Sequence, residues 1–385
     1  MMISLEIVNG LKSILEDFYG KEDFYPLHIP VFDHVEQQYL KECIESTFVS
    51  SVGKQIDEVE KMLVEYTGAK YAVAVVNGTA AQQVALRLAG VEKDTEVITQ
   101  AMTFVATTNA ILYNGAIPIF VDVDKENMGL CPKSLRDFLE INAELKNGKC
   151  FNKTSGKRIS AVTPMHTFGF AASIIEIKAV CDEWNIPLVE DSAEAVGSFV
   201  DGKHLGTFGL LGVLSFNGNK VITAGGGGAI LTNDEELAKK AKYLTTTAKV
   251  PHKWEYVHDE MGYNYRMPNL NASLLKAQLE KLPTLLASKR ELTNRYIEFF
   301  SNKSIKFKTE KAPNKTNYWL NTILLSDRAE RDEFLEATNS NGIMTRPAWT
   351  LMNELPMFKE CQTTDLTNSI WLADRIVNIT SSPKL

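Results

Sequence analysis

The sequence predicts an α/β fold, with a large domain on a mostly parallel sheet and a smaller α+β domain after it. Three observations carry this. Between residues 71 and 232 short apolar runs alternate with helical stretches, the order that βα units produce. Several runs are apolar at successive positions, as strands covered on both faces require. After about residue 270 the pattern turns to long helices with one further strand, and 385 residues suffice for two domains. The expected division is an N-terminal extension over 1–34, a large domain over 35–270 and a small one over 271–385.

Residues 1–30 read as a short helix and a linker closed by Pro26 and Pro30, and residues 35–68 carry helical periodicity. Tyr71-Ala-Val-Ala-Val-Val76 is the first strand. Asn77-Gly78-Thr79 leads into a helix with Ala81, Val84, Ala85 and Leu88 on one face. Further strands are expected near Glu96–Thr99, Ile117–Asp122, Ile159–Pro164 and Ile186–Glu190, with helices around 104–113, 132–140 and 173–184. Gly212–Phe216 and Ala229–Thr232 are strands flanking Lys220. The polar stretch Lys146–Lys157 reads as an exposed hairpin or loop. Long helices over 270–302, a strand near Trp319–Leu325 and another helix complete the chain.

Composition removes several function classes. The formal net charge is -7 and no long basic run is present, which argues against nucleic acid as the main partner. Cys43, Cys131, Cys150, Cys181 and Cys361 are scattered and odd in number, as reduced cytoplasmic thiols would be. The six histidines form no ligand cluster, so no metal is expected. Met1–Glu6 lacks a basic leader pattern, and no window reaches the roughly 18 apolar residues of a membrane span.

Lys220 stands in Ser215-Phe-Asn-Gly-Asn-Lys220-Val-Ile-Thr-Ala-Gly225-Gly-Gly-Gly228. An amine that adds to a carbonyl must be neutral part of the time, and partial burial favours that form. The glycines would let the backbone pass close to a bound ring or a partner subunit. The same residues also read as a surface lysine before a glycine-rich hairpin. Asp191 ends an apolar run, where α/β folds place ligands; it would pair with a protonated ring nitrogen, or cap a helix beginning at Ser192. Asn77-Gly78-Thr79 offers a helix N-terminus to a phosphate, or is an ordinary cap. Phe104 could stack on a ring or belong to the core, and Ser215 could bond a phosphate.

It is the order of these features that is specific. Asn77-Gly-Thr-Ala-Ala81, Met102-Thr-Phe-Val-Ala-Thr107, Glu190-Asp-Ser-Ala-Glu194, Ser215-Phe-Asn-Gly-Asn-Lys220 and Gly262-Tyr-Asn-Tyr-Arg266 appear in one chain. Together they resemble the DegT/StrS family of nucleotide-sugar aminotransferases, over nearly the whole chain. Pro26-Leu-His-Ile-Pro30 and Val49-Ser-Ser-Val-Gly53 resemble the branch serving legionaminic acid and bacillosamine-type sugars. Gln82-Gln83 stand where relatives usually have Leu-His, and Val31-Phe-Asp-His-Val-Glu36 departs from their usual start of the first long helix.

The resemblance implies the pyridoxal-phosphate-dependent transferase fold type I, which is aspartate-aminotransferase-like, and pyridoxal 5'-phosphate as cofactor. It implies that Lys220 forms the Schiff base and carries the proton, Asp191 holds the ring nitrogen, and Phe104 stacks on the ring. Gly78, Thr79 and Ser215 would bind the phosphate, and Glu194 would sit beside the ring hydroxyl. Asn264 would reach the phosphate from the neighbouring subunit of a homodimer with a shared active site. His166 and Arg346 would line the sugar site. The implied reaction moves an amino group from L-glutamate to C4 of a UDP-linked 4-keto-6-deoxy-N-acetylhexosamine. A sugar dehydratase on the same fold carries histidine in place of the lysine, so Lys220 argues against it. A non-catalytic regulatory relative should have lost Lys220 or Asp191.

Overall fold

A computed structural model describes residues 5–385 of the chain. The reading of Met1–Ser4 falls outside them. In chain order the first elements are α1 (Leu5–Tyr19), α2 (His34–Glu45), α3 (Lys54–Thr67), β1 (Tyr71–Val75), α4 (Gly78–Leu88), β2 (Glu96–Gln100), α5 (Val105–Tyr113) and β3 (Ile117–Val121). Then come α6 (Pro132–Asn142), β4 (Ala143–Lys146), β5 (Lys149–Asn152), β6 (Ile159–Thr163), α7 (Ile174–Glu183) and β7 (Val189–Asp191). The pair β8 (Phe199–Val200) and β9 (Lys203–His204) precedes β10 (Leu211–Ser215), β11 (Gly228–Thr232) and α8 (Glu235–Thr245). The chain closes with α9 (Asn269–Phe300), β12 (Lys306–Phe307), β13 (Asn321–Leu324), α10 (Arg328–Ser340), β14 (Arg346–Pro347), α11 (Thr367–Ala373) and β15 (Ile376–Ile379).

The central sheet runs β3-β2-β6-β7-β10-β11-β1. Its two halves meet where Val162 bridges Leu188 and Met165 bridges Asp191 in parallel. Only β11 is reversed, antiparallel to β1 and β10. The expected parallel sheet is therefore present with one strand turned round. β2, β6 and β10 are buried at every position, which accounts for their unbroken apolar character. Because the other strands run one way, their carboxyl ends share one edge, and the loops after them converge there.

The helical stretch expected over 35–68 is two helices. Asp33 caps the first in a reciprocal box with Glu36, so the departure seen there in the sequence is a different helix start, itself well formed. Gly53 precedes α3 where a Cβ would lie 2.2 Å from the Asn269 side chain. The polar stretch at 146–157 is the β4–β5 hairpin and the turn after it.

The small-domain sheet, β12-β13-β15-β14, is antiparallel. Residue 270 lies in the first turn of α9, a helix of 32 residues with Pro283 inside it. Leu275, Leu279, Leu282 and Leu285 pack in one core with Ile56, Leu63 and Phe216. Leu292, Tyr296 and Phe300 pack in another with Ile323, Phe334 and Val377. Each such leucine contributes about 1.5–3 kcal/mol of burial. The extension is not separate either: Val8, Leu11, Leu15 and Phe18 of α1 lie in that second core.

Candidate active site

Three strand ends meet at one point of the sheet edge. β1 ends into Asn77, whose side chain accepts the Ala80 N–H at 2.8 Å and so starts α4 at Gly78. The capping reading of this turn is correct, and it leaves the first N–H groups of α4 facing outward. Ser215, the last residue of β10, sits against that tip. A Cβ on Gly78 would lie 2.9 Å from the Ser215 Cβ and 3.1 Å from its Oγ. Glycine is therefore what allows helix tip and serine to form one cradle, with Thr79 beside it.

β7 delivers Asp191. No helix begins at Ser192, so the alternative of a helix cap fails. The carboxylate accepts the Thr107 hydroxyl at 2.6 Å and the Ala193 N–H at 3.1 Å. Thr107 in turn shares a 2.9 Å bond with Thr103 one helical turn earlier. Two donors and burial to 5% exposure leave this acid a single orientation.

Lys220 is partly buried and its Nζ lies 3.2 Å from Glu194 Oε1. The other Glu194 oxygen accepts the Phe168 N–H at 2.9 Å. Phe168 makes that bond from a left-handed conformation, φ 56°, which a non-glycine residue adopts at a cost. Burial pushes the Glu194 carboxyl up to about 7, against the pull of Lys220 and the Phe168 N–H. Lys220 also lies 4.0 Å from the centroid of the Trp319 ring. The Trp319 indole donates to the Asn219 carbonyl at 2.7 Å.

Lys220, Asp191, Glu194, Ser215, Gly78, Thr79 and Phe104 all line one cavity of about 310 Å³. Phe104, at the start of α5, is 46% exposed with its ring 6.0 Å from Trp349. It is not a core residue, and a large flat side chain at a cavity mouth suits stacking. An amine, a fixed carboxylate, a phosphate cradle and an uncovered aromatic together fit a phosphorylated pyridine aldehyde. Gln82, at one of the departures from the family pattern, also lines the cavity, and its Oε1 is buried without a partner.

Three expected contacts are not brought there. His166 is fully buried and faces away from the cavity: its Nε2 meets Glu190 at 3.1 Å and its Nδ1 accepts the Ala172 N–H. Burial works against the Glu190 charge, but His166 and the Gly209 and Gly206 N–H groups outweigh it and hold the acid below its usual range. The expectation that His166 lines a sugar site is thus corrected: the histidine satisfies a buried acid. Arg346 is exposed and bonds Asn339 and the Thr345 carbonyl. Asn264 is exposed, on a segment bridged to Thr246, and does not line the cavity of its own chain. Sequence reading missed Trp319, Trp349 and the role of Thr107. Only Thr107 left a local signal, its four-residue spacing from Thr103.

Among the described residues no helix is long and apolar enough to cross a membrane, and no group of His, Cys, Asp and Glu could hold a metal ion. The profile of the DegT/DnrJ/EryC1/StrS aminotransferase family matches residues 30–385. EpsN of Bacillus subtilis, assigned by name as a pyridoxal phosphate-dependent aminotransferase, is 36% identical over 84% of this chain and 81% of its own. GDP-perosamine synthase of Vibrio cholerae is 34% identical over 94% of each chain. The crystal structure of a DegT DnrJ EryC1 StrS aminotransferase from Brucella abortus superposes with a TM-score of 0.82 at 25% identity, over 91% of each chain. The chain belongs to the DegT/DnrJ/EryC1/StrS family: it is a sugar aminotransferase that uses pyridoxal 5'-phosphate.

Proposed function

We propose that the chain transfers the amino group of L-glutamate to C4 of a UDP-linked 4-keto-6-deoxy-N-acetylhexosamine, in the making of legionaminic-acid or bacillosamine-type surface sugars. The observation that carries the catalytic part is the gathering of Lys220, Asp191 and the Gly78–Ser215 cradle round one cavity. When bound, pyridoxal phosphate supplies an aldehyde that takes up amines and a ring that accepts electrons. Lys220 would hold it covalently and, as a free amine, could move the proton of the donor α-carbon. Glu194, 3.2 Å from Nζ and with its carboxyl pushed up to about 7, can take the ammonium proton and return it. Asp191 would keep the ring nitrogen protonated. Gly78, Thr79 and Ser215 would hold the phosphate, and Phe104 would cover the ring.

Asn264 lies outside the cavity of its own chain, which supports its acting in the site of a second subunit. Exposed Trp254, Tyr256 and Met261 on the same segment give that homodimer an apolar surface to cover.

A second reading, a GDP-linked acceptor, is favoured by the likeness to the GDP-perosamine synthase of Vibrio cholerae. The test is incubation with 15N-labelled L-glutamate and UDP- or GDP-linked 4-keto-6-deoxy sugars, with products read by NMR. Label at C4 of the UDP sugar is the expected outcome. Label only in the GDP sugar moves the assignment to the second reading, and loss of a hydroxyl without label overturns both.

A further inference from the structure

Two side chains meet the Lys220 amine, and only one of them has a part in the reaction above. Glu194 lies 3.2 Å from Nζ. The other is Trp319, whose ring centroid stands 4.0 Å from the same atom. The face of an indole is negative and attracts a cation, the more so where water is excluded. Here the lysine side chain is 12% exposed and Trp319 is 5% exposed.

Trp319 also reaches the backbone behind the lysine. Its indole N–H donates to the Asn219 carbonyl at 2.7 Å. That turn has little else to hold it. The Lys220 N–H bonds the Asn217 carbonyl at 3.0 Å. Asn217 and Asn219 are exposed, and their side chains bond each other at 3.1 Å.

The tryptophan is fixed in turn. Its backbone N–H donates to Asn317 Oδ1 at 2.7 Å, and its carbonyl accepts the buried Lys289 amine at 3.2 Å. The Asn317 amide donates to the Glu194 carbonyl at 2.8 Å and the Val196 carbonyl at 2.9 Å. Asn317 therefore ties the residue that carries the acid to the residue that carries the ring. Gly169 leaves the room for it: φ is +94°, and a Cβ would lie 1.9 Å from Asn317 Oδ1.

We propose that Trp319 is a positioning residue for Lys220: its indole N–H fixes the peptide before the lysine, and its ring face holds positive charge on the lysine nitrogen. The second contact serves the free ammonium and equally the protonated nitrogen once it is joined to the cofactor, since both are cations at the end of one side chain. The two contacts can be removed separately. Phenylalanine keeps a ring face and loses the N–H; leucine loses both.

This inference rests on Lys220 being the cofactor-bearing lysine, and one experiment separates the two claims. The visible band of the purified holoenzyme is titrated with pH, and kcat and KM are measured, for wild type, Trp319→Phe and Trp319→Leu. The titratable neighbours of the amine are Glu194, Asp191 and His28, with Lys289 behind Trp319, and all four are unchanged in these variants. A charged linkage that loses the ring face gives up its proton more readily. Trp319→Leu is therefore expected to lower the midpoint by about 0.5–1 unit, and Trp319→Phe to keep it within about 0.3 unit of wild type. Both should lose kcat about tenfold through the freed Asn219 carbonyl, with KM for the acceptor within about threefold. A Trp319→Leu enzyme with the wild-type midpoint overturns the inference. So does a Trp319→Phe enzyme whose midpoint falls as far as that of Trp319→Leu, or one with wild-type kcat. If Trp319→Leu does not fold, Trp319→Met takes its place under the same criteria. A wild-type protein with no band, or one reduced by borohydride at another lysine, sinks the reading of Lys220 instead.

Discussion

The wall of the cavity proposed to hold the cofactor and the wall proposed to meet an acceptor sugar are built differently. The first is assembled from strand ends of one sheet: Ser215 closes β10, Asp191 closes β7, and Gly78 follows β1. Their backbones are capped locally or paired with an adjacent strand, and Thr107 of α5 reaches the Asp191 carboxylate. The second has no such frame. The two residues expected there, His166 and Arg346, are buried against Glu190 and turned out to solvent respectively, while Trp349 arrives from the loop after β14. A parallel sheet edge positions groups by topology alone; the recognition surface depends on how separate parts of the chain come together.

If this contrast holds, changes on the sheet edge should be severe and those at the expected sugar residues mild. Asp191→Asn should lower kcat by about 10³-fold with the fold intact, since an amide can still meet Thr107 and Ala193; stopped-flow of the half-reaction with L-glutamate measures it. Gly78→Ala should weaken cofactor retention by about 10–100-fold, because the new methyl meets Ser215 Cβ at 2.9 Å and fills the cradle; equilibrium dialysis followed by absorbance decides.

Glu194→Gln sharpens the comparison through pH. The folded carboxyl stands at about 7 against an ordinary 4.5, so the folded state binds the extra proton between those values. Its stabilising contribution is complete below pH 4.5 and is lost as pH rises through 7. Removing it should flatten the decline of stability of the cofactor-free protein across that window by about 3 kcal/mol, seen in urea melts at several pH values. The mildest case is Arg346→Ala, which should leave acceptor KM within about twofold. A tenfold rise would break the contrast by showing that the guanidinium does reach the sugar.

Much of the sheet edge was legible in the sequence. Strands covered on both faces announce themselves as apolar runs, and the residue after such a run is where a parallel sheet exposes chemistry, which made Asp191 and the Asn77-Gly78-Thr79 turn readable. The reversal of β11 was not, because glycine-rich runs are equally compatible with either direction. His166 comes just after the end of β6 much as Asp191 ends β7; what separates them is the buried Glu190 of β7 that takes the His166 ring, a tertiary fact. Trp319 clamps a carbonyl 100 residues earlier. Such pairings leave no spacing to read. Thr107 was inside a recognised motif, but only the direction of α5 shows that its hydroxyl aims at Asp191.

The long helix α9 has its first half in one core and its second half in the other. Neither domain can come apart without stripping cover from leucines that the other relies on, and the arm carrying α1 adds a second tie. A chain tied together in this way is expected to unfold in one step, and calorimetry showing a single transition, with no earlier one for either half, would bear that out.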